Sequence, residues 1–89
     1  MVYKLKVATR FKKDLKKFQH NKVIQDKLES IITSLLEGRK LPEKNQDHDL
    51  VGNYLNHREC HVNPDLLLIY KREDDAISLE RLGSHSELF

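Results

Sequence analysis

The spacing of the apolar residues changes once along this chain, at Gly38, and that change most constrains the fold. Before Gly38 they recur at helical intervals, so that Phe11, Leu15 and Phe18 form one stripe. After residue 47 they come in short runs or alternate with polar residues, as in strands. Helices followed by several consecutive strands are typical of an α+β fold, with the helices on one face of a mostly antiparallel sheet.

The first half of the chain predicts one strand and two helices. Within residues 2–8, alternation places Lys4 and Lys6 on one side and the apolar Tyr3, Leu5 and Val7 on the other. This pattern indicates a strand with one solvent-facing side. Thr9 is expected to cap the first helix and Asn21 to cap a second helix over about residues 22–37. Gly38 would end that helix, where a left-handed residue is common. The apolar stripe of the second helix is Ile24, Leu28, Ile31, Ile32, Leu35 and Leu36.

The second half predicts four short strands after a loop at residues 39–47. Asp74-Asp75 is expected to form a hairpin turn, and the last but one strand should be central and covered on both faces. The predicted order is β-α-α-β-β-β-β in a single domain, residues 1–89. The four strands are expected at about residues 48–51, 54–62, 66–72 and 76–82.

Basic residues are concentrated near the N-terminus. Residues 1–22 contain eight lysine or arginine residues and one acid, Asp14, although the whole chain has a formal charge of only +2. Such a local basic surface can bind a polyanion, and it can also be an ordinary solvated helix face. The candidate residues for a binding surface are Lys4, Lys6, Arg10, Lys12, Lys13, Lys16 and Lys17.

The composition argues against several classes of protein. The single cysteine, Cys60, cannot form an internal disulfide, so a secreted, disulfide-stabilised fold is not indicated. The longest apolar run, Leu66 to Tyr70, is too short for a membrane span, and no signal peptide is visible. We therefore expect a cytoplasmic protein that does not contact a membrane.

Strand alternation predicts that Glu59 and His61 share a face, about 7 Å apart. A carboxylate beside an imidazole favours its protonated form and orients the ring, which suits acid–base catalysis near neutral pH. His57 and His61 have a spacing that would suit zinc on a helix, but on a strand their rings would lie about 13 Å apart. We therefore expect no metal and no cofactor, and treat His57 and His20 as surface residues.

Two other segments have unusual composition. Pro64-Asp65 directly precedes the apolar run, where local chemistry favours a turn former over a site residue. The C-terminal segment has His85 between two serines and ends in Leu88-Phe89. It is expected to fold back onto the domain, with Phe89 either in the core or stacked on an RNA base. Spacing alone cannot bring residues 48, 61, 65 and 85 together.

The second half as a whole resembles the YafQ-like branch of the RelE/ParE superfamily of bacterial type II toxins. The shared pattern covers the last 43 residues without a gap, whereas the first half agrees only in its layout of one strand and two helices. The matching residues are Asp47, His48, Leu50, Gly52, Arg58, Glu59, His61, Val62, Pro64, Asp65, Leu68, Ile69, Tyr70, Lys71, Glu80, Arg81, Gly83, Ser84, His85, Leu88 and Phe89.

The resemblance implies a RelE-like fold and a ribosome-dependent mRNA endoribonuclease. The implied partners are the ribosome, mRNA and a cognate antitoxin encoded beside the toxin, with DNA contacted only indirectly through the antitoxin complex. The lysine-rich first helix would lie along ribosomal RNA or the message, or receive an acidic antitoxin segment. Glu59 departs from the family pattern, because relatives have aspartate at this position.

The resemblance also implies a catalytic set. We assign His85 as the general acid and Asp65 as the general base, with His61 as the alternative base. His48 would stabilise the charged phosphate, and Phe89 would support a base or the wall of the site.

Arg81 and Glu59 are also assigned to the catalytic set, but the role of each depends on a further condition. Arg81 would help His48 on the phosphate, but strict alternation places it with the inward-facing Ile77 and Leu79. Either the strand ends or twists before Arg81, or the residue is structural and paired with an acid. The role of Glu59 depends on whether its longer arm can replace the aspartate.

Two other functions stay open from the sequence. ParE-type members of the superfamily poison gyrase and cleave no RNA, and a degenerate toxin could still bind its antitoxin or the ribosome. The histidines and Asp65 argue against a pure binding protein, because such a protein does not need several groups that transfer protons.

Overall fold

The structure, a computed structural model, describes residues 3–89, apart from the side chain of Asn53. Val2, where the first strand was expected to begin, lies outside the described residues. Short 3-10 turns occupy Glu43–Asn45 and Gly52–Tyr54. The strands and helices are β1 (Lys4–Val7), α1 (Thr9–Lys16), α2 (Lys22–Leu36), β2 (His48–Asp49), β3 (Arg58–Asn63), β4 (Leu66–Arg72), β5 (Ala76–Gly83) and α3 (His85–Leu88).

The five strands form one sheet in the order β1-β5-β4-β3-β2. Strand β1 is parallel to β5, and the other neighbouring pairs are antiparallel. The predicted α+β architecture, a mostly antiparallel sheet with the order β-α-α-β-β-β-β, is confirmed. The one parallel pair is β1 and β5. It arises because α1 and α2 carry the chain from β1 at one edge to β2 at the other edge, and three antiparallel steps then bring β5 beside β1.

Apolar burial explains why β4 is the central strand. Leu68 and Tyr70 face the larger core, which α1 and α2 cover with residues such as Phe11 and Leu35. Leu67 and Ile69 face the other way and pack with Leu88 of α3. A strand with apolar partners on both faces shows a continuous apolar run rather than alternation, as predicted for residues 66–72. We call the face that contains Leu67 and Ile69 the open face.

The two long helices begin and end for identifiable reasons. The side chain of Asn21 accepts a hydrogen bond from the Ile24 N–H (3.1 Å), which confirms the predicted cap of α2. Gly38 has a positive φ of 73°, and the next N–H, of Arg39, donates to the carbonyl of Ser34 (2.9 Å), as a helix C-terminus requires. The predicted cap Thr9 is wrong. Ala8 occupies that position because its N–H still bonds to the sheet, and Thr9 is already helical.

Two predicted strands are shorter than expected. The strand predicted at 48–51 is reduced to His48–Asp49, and the strand predicted at 54–62 begins at Arg58. The chain turns between them because Gly52 and Asn56 both have positive φ, near 73° and 72°, which an extended strand cannot contain. The tail does fold back, as predicted, but it forms the short helix α3.

Candidate active site

Strand register brings the predicted residues onto the open face. His48 of β2 pairs with Glu59 of β3, which pairs with Ile69, which in turn pairs with Arg81 of β5. In the next row, His61 pairs with Leu67 and Leu67 with Gly83. Directly paired residues point to the same side of a sheet. The first row therefore holds His48 and Glu59, and the second holds His61 and ends two residues before His85.

Glu59 contacts a different histidine from the one expected. Its Oε2 lies 2.8 Å from Nε2 of His48, across the strands. The Cβ atoms of directly opposite residues on neighbouring strands are about 5 Å apart, whereas same-face neighbours along one strand are about 7 Å apart. The cross-strand partner is therefore the one within reach. The prediction that Glu59 and His61 share a face is consistent with this register, but the pairing of their side chains is wrong.

The ring of His48 is held at both nitrogens. Nδ1 donates to the carbonyl oxygen of Gln46 (2.6 Å), and Nε2 faces the carboxylate of Glu59. Since a carbonyl can only accept, Nδ1 is the donor in its contact with Gln46. This arrangement fixes the ring while leaving it about half exposed.

The other carboxylate oxygen of Glu59, Oε1, is buried and has no hydrogen-bond partner among the described residues. An unsatisfied buried oxygen costs about 1–3 kcal/mol, and more if charged. Because this oxygen is buried, its cost opposes folding.

The C-terminal helix α3 is fixed by its own caps and by contact with β5. Ser84 and Glu87 form a reciprocal capping box, and Leu88 is buried. Gly83 permits the close approach, because a Cβ at that position would lie 3.3 Å from Cδ2 of Leu88. As a result His85 is held two residues beyond Gly83, where the row that contains His61 ends.

Glu87 strengthens this attachment. The backbone N–H of Ser84 and the ammonium of Lys17 (3.1 Å) hold the pKa of the Glu87 carboxyl at about 2. Lys17 therefore ties α1 to α3.

Phe89 lies outside the core, with 53% of its surface exposed. Its ring stacks on His85 at a centroid separation of 4.9 Å and meets Tyr54 edge-on at 5.4 Å. The hydroxyl of Tyr54 donates to the carbonyl of Leu88 (3.3 Å). Sequence reasoning missed Tyr54, which it assigned to a strand. An aromatic residue just after a glycine turn was the available signal.

Arg81 lies beside a bulge in β5. Leu79 pairs with Tyr70 and Arg81 with Ile69, so Glu80 is an extra residue. The bulge moves Arg81 out of the alternation that begins at Ile77, which resolves the conflict seen in the sequence.

Arg81 is also paired with an acid. Its Nε donates to Oδ2 of the buried Asp14 on α1 (2.8 Å), and the Leu82 N–H donates to the same oxygen (2.9 Å). The hydrogen bond to Asp14 raises the pKa of the Arg81 guanidinium. The predicted contact of Arg81 with phosphate stays a prediction, for a group that already has a strong partner.

A partly buried network of side chains holds the strand that presents His48. The hydroxyl of Tyr70 donates to Oδ1 of Asp47 (2.6 Å), and Arg58 donates to Asp47 (3.2 Å) and Asp49 (2.6 Å). Burial raises the pKa of Tyr70, so its hydroxyl keeps its hydrogen. Since His48 lies between the two aspartates, this network fixes its backbone.

Burial likewise raises the pKa of the Cys60 thiol to about 12, which excludes it as a nucleophile at neutral pH.

The remaining predicted residues lie nearer the surface. Asp65 is exposed in the two-residue turn between β3 and β4, at the same end of the sheet as His61 and Gly83. His20 is exposed, as expected. His57 is more enclosed than predicted: its ring lies 5.9 Å from that of Tyr54 and its Nε2 is 3.7 Å from Glu80.

The predicted basic surface divides into two groups. Lys4, Lys6 and Lys17 form ion pairs with Asp75, Glu73 and Glu87. The other four lie on α1, are exposed, and make no ion pair within residues 3–89. We call these four the α1 basic face: Arg10, Lys12, Lys13 and Lys16.

Residues 3–89 contain no group of three or more His, Cys, Asp or Glu side chains placed to hold a metal ion. Over the same residues, no helix has the length and apolar character needed to cross a bilayer.

Comparison with known proteins identifies the family. Residues 3–89 match the family model described as the bacterial toxin of type II toxin–antitoxin systems, YafQ. The chain belongs to the YafQ toxin family. The mRNA interferase toxin YafQ of Escherichia coli K12 is 35% identical over 86 residues, which covers 96% of this chain and 94% of that protein.

Two solved structures of bacterial toxins agree with this fold over nearly their full length. YafQ in the E. coli DinJ–YafQ complex has a TM-score of 0.87 at 34% identity and 98% coverage of both chains. A copper-bound mutant toxin from Helicobacter pylori has a TM-score of 0.91 at 42% identity and 100% coverage of both chains. The family predicted from the C-terminal pattern is therefore confirmed, and it extends through the first half of the chain.

Proposed function

We propose that this YafQ-family toxin is a ribosome-dependent mRNA endoribonuclease. The observation that carries the proposal is the open face, where His48 lies within hydrogen-bond distance of Glu59 and His61 occupies the adjacent row, which ends at Gly83, two residues before His85. Three imidazoles on one exposed surface can supply and accept protons at neutral pH. The E. coli relative, 35% identical, is itself named an mRNA interferase.

The proposed reaction is cleavage by the RNA's own 2′-hydroxyl. A base removes the 2′-OH proton, the 2′-oxygen attacks phosphorus, and the bond to the 5′-oxygen breaks as an acid protonates that oxygen. The products are a 2′,3′-cyclic phosphate and a 5′-hydroxyl end. His85 is the general acid, and its ring is oriented by stacking on Phe89.

Asp65 is the proposed base, with His61 as the alternative. Asp65 is exposed in its turn and free to reach a sugar, whereas His61 is partly buried in β3. His48 is proposed to stabilise negative charge on the phosphate by exchanging the Glu59 contact of its Nε2 for a phosphate oxygen, while Gln46 still holds Nδ1. Arg81 is the weaker candidate for that charge, because Asp14 already binds it.

The proposed partners follow from the exposed surfaces and the relatives. The α1 basic face would contact ribosomal RNA or the message, and the same face could bind an acidic antitoxin segment that folds on binding. The E. coli relative forms a complex with DinJ. Contact with DNA would be indirect, through the antitoxin, and the site of action would be the cytoplasm, where the ribosomes are.

The test is cleavage of ribosome-engaged mRNA with mapped ends. We expect codon-spaced cuts with 5′-hydroxyl ends, which His85→Ala and Asp65→Ala abolish while His20→Ala, an exposed histidine outside the site, does not. Absence of cuts from folded protein, on or off ribosomes, would reject the nuclease in favour of gyrase poisoning or simple ribosome occupancy.

A modified substrate separates the acid from the base. A 5′-bridging phosphorothiolate at the cut site replaces the leaving oxygen with sulfur, which departs without a proton. It should restore cleavage by His85→Ala but not by the variant that lacks the base. Rescue of Asp65→Ala instead would reverse the two assignments. The response of His61→Ala to the same substrate decides whether His61 is the base.

A further inference from the structure

A groove of about 470 Å³ adjoins His61 at the outer edge of β3. Strand β2 pairs with Arg58 and Glu59, the first two residues of β3, so its hydrogen bonding stops before His61. The 3-10 turn at Glu43–Asn45 lies beside the rest of that edge, and α2 forms the opposite wall. We call this space the β3-edge groove.

The lining of the β3-edge groove combines positive charge with an apolar floor. Lys27 of α2 and Lys44 of the 3-10 turn are both exposed, and within the described residues no Asp or Glu lines the groove. Ile31, Leu41 and Val62 supply buried apolar surface. An unpaired nucleotide needs cations for its phosphate and an apolar surface for its base, so the lining is complementary to one.

Hydrogen bonds connect the groove wall to the candidate catalytic strand. The side chain of Asn45 is buried, lines the groove, and donates to the carbonyl of His61 (2.7 Å). The ammonium of Lys27 donates to Oδ1 of Asn63 (2.6 Å), two residues further along β3. His61 itself lines the groove. The groove opens at the β3 edge on the helix side, whereas the ring of His61 faces the open side, so an RNA strand would reach the groove by passing around that edge from the open face.

We propose that the β3-edge groove binds the nucleotide that flanks the cleaved bond of single-stranded RNA. Lys27 and Lys44 contact its phosphate, and the base lies on the apolar floor. Asn45 joins the groove wall to β3 through its hydrogen bond to the backbone carbonyl of His61. This inference rests on the proposed nuclease function, because it takes the RNA path from the candidate active site.

Binding of a non-cleavable RNA tests the groove without requiring catalysis. The probe is a 2′-O-methyl trinucleotide, whose blocked 2′-oxygen cannot attack phosphorus, titrated into ¹⁵N-labelled protein. We expect the backbone amides of Lys27, Ser30 and Asn45 to shift with the probe. Lys27→Gln with Lys44→Gln should weaken binding about tenfold and lower the slope of log affinity against log salt by about 0.7, the value for one single-strand phosphate.

A charge-matched control separates the groove from general electrostatics. Lys22→Gln with Lys40→Gln removes the same charge from α2 and the following loop, but neither residue lines the groove. We expect the affinity and the salt slope of this control to match the native protein. Equal weakening in both double variants, amide shifts confined to the open face, or no binding at millimolar probe would each overturn the groove site.

Cleavage on ribosomes distinguishes failure of the groove from failure of the nuclease. With the groove as proposed, Lys27→Gln with Lys44→Gln raises KM and leaves kcat close to native. Native cuts with an unchanged KM would overturn the groove alone. Absence of cuts from the native protein would reject the nuclease, whatever the binding experiment shows.

Discussion

Glu59 combines a favourable and an unfavourable contact in one side chain. One carboxylate oxygen fixes His48, while the other is buried without a partner. Burial of a charge that is only partly satisfied opposes folding, yet the same group orients a candidate catalytic ring. The glutamate that departs from the family pattern can therefore still reach the histidine, through the neighbouring strand.

Replacement of Glu59 by methionine should stabilise the protein while lowering its activity. The substitution removes the unsatisfied carboxylate and adds apolar surface beside Ile69, so we expect the free energy of unfolding to rise by about 1 kcal/mol. Cleavage should fall by about tenfold to a hundredfold, because His48 loses one of its two anchors. Urea unfolding and the ribosome cleavage assay measure the two effects. A free energy of unfolding that does not rise, or activity equal to native, would contradict the role given to Glu59.

At the scale of elements, the α1–β5 contact depends on one buried acid. Asp14 accepts hydrogen bonds from both the Arg81 side chain and the Leu82 backbone. Strand β1 pairs with the first half of β5, Ala76 to Leu79, and Asp14 satisfies the backbone beyond that point. The acid thus fixes the end of β5 from which α3 begins.

Asp14→Ala should lower the free energy of unfolding by about 2 kcal/mol, because it leaves a guanidinium and a buried N–H without their partner. For a domain of this size the melting temperature should fall by about 10 °C. Asp26→Ala is the matched control: it removes an acid from an exposed helix pair with Lys22, which contributes at most about 0.5 kcal/mol. Equal losses from the two substitutions would show that the Asp14 contacts contribute no more than a surface pair.

The attachment of α3 should depend on pH through Glu87. Its pKa in the folded protein, about 2, lies below the ordinary 4.5, so the charged carboxylate favours the folded tail. That contribution is complete above about pH 4.5 and is lost as the pH falls through 2. The melting temperatures of the native protein and Glu87→Gln should therefore differ above pH 4.5 and converge towards pH 2. A difference that stays constant over this range would contradict the assignment.

At the scale of the whole molecule, sequence reasoning succeeded where a residue pattern has one structural meaning. The run at 66–72 is typical of a strand covered on both faces, and its bounds were predicted as observed. The partner of Glu59 was missed because it depends on register between β2 and β3, which no local period encodes. Tyr54 and the start of β3 were missed because Gly52 and Asn56 turn the chain through positive φ. The bulge at Glu80 was also missed, because it depends on how β5 pairs with β4.

The distribution of charge over the molecule predicts how it meets RNA. The α1 basic face holds four cations without ion pairs among residues 3–89, whereas Lys4, Lys6 and Lys17 are already neutralised by neighbours. Cations that are free to contact phosphates release counterions on binding, and each contributes about 0.9 to the salt slope on duplex nucleic acid.

Changing the α1 basic face to glutamine, at Arg10, Lys12, Lys13 and Lys16, should therefore weaken ribosome binding and reduce the slope of log affinity against log salt by about 3. All four side chains are exposed, so thermal unfolding should change little. Lys4→Gln with Lys6→Gln is the comparison, and per residue it should reduce the slope less because those ammonium groups already have carboxylate partners. An unchanged slope in the quadruple variant would mean that α1 faces away from ribosomal RNA, and the same variant should then be tested for loss of antitoxin binding.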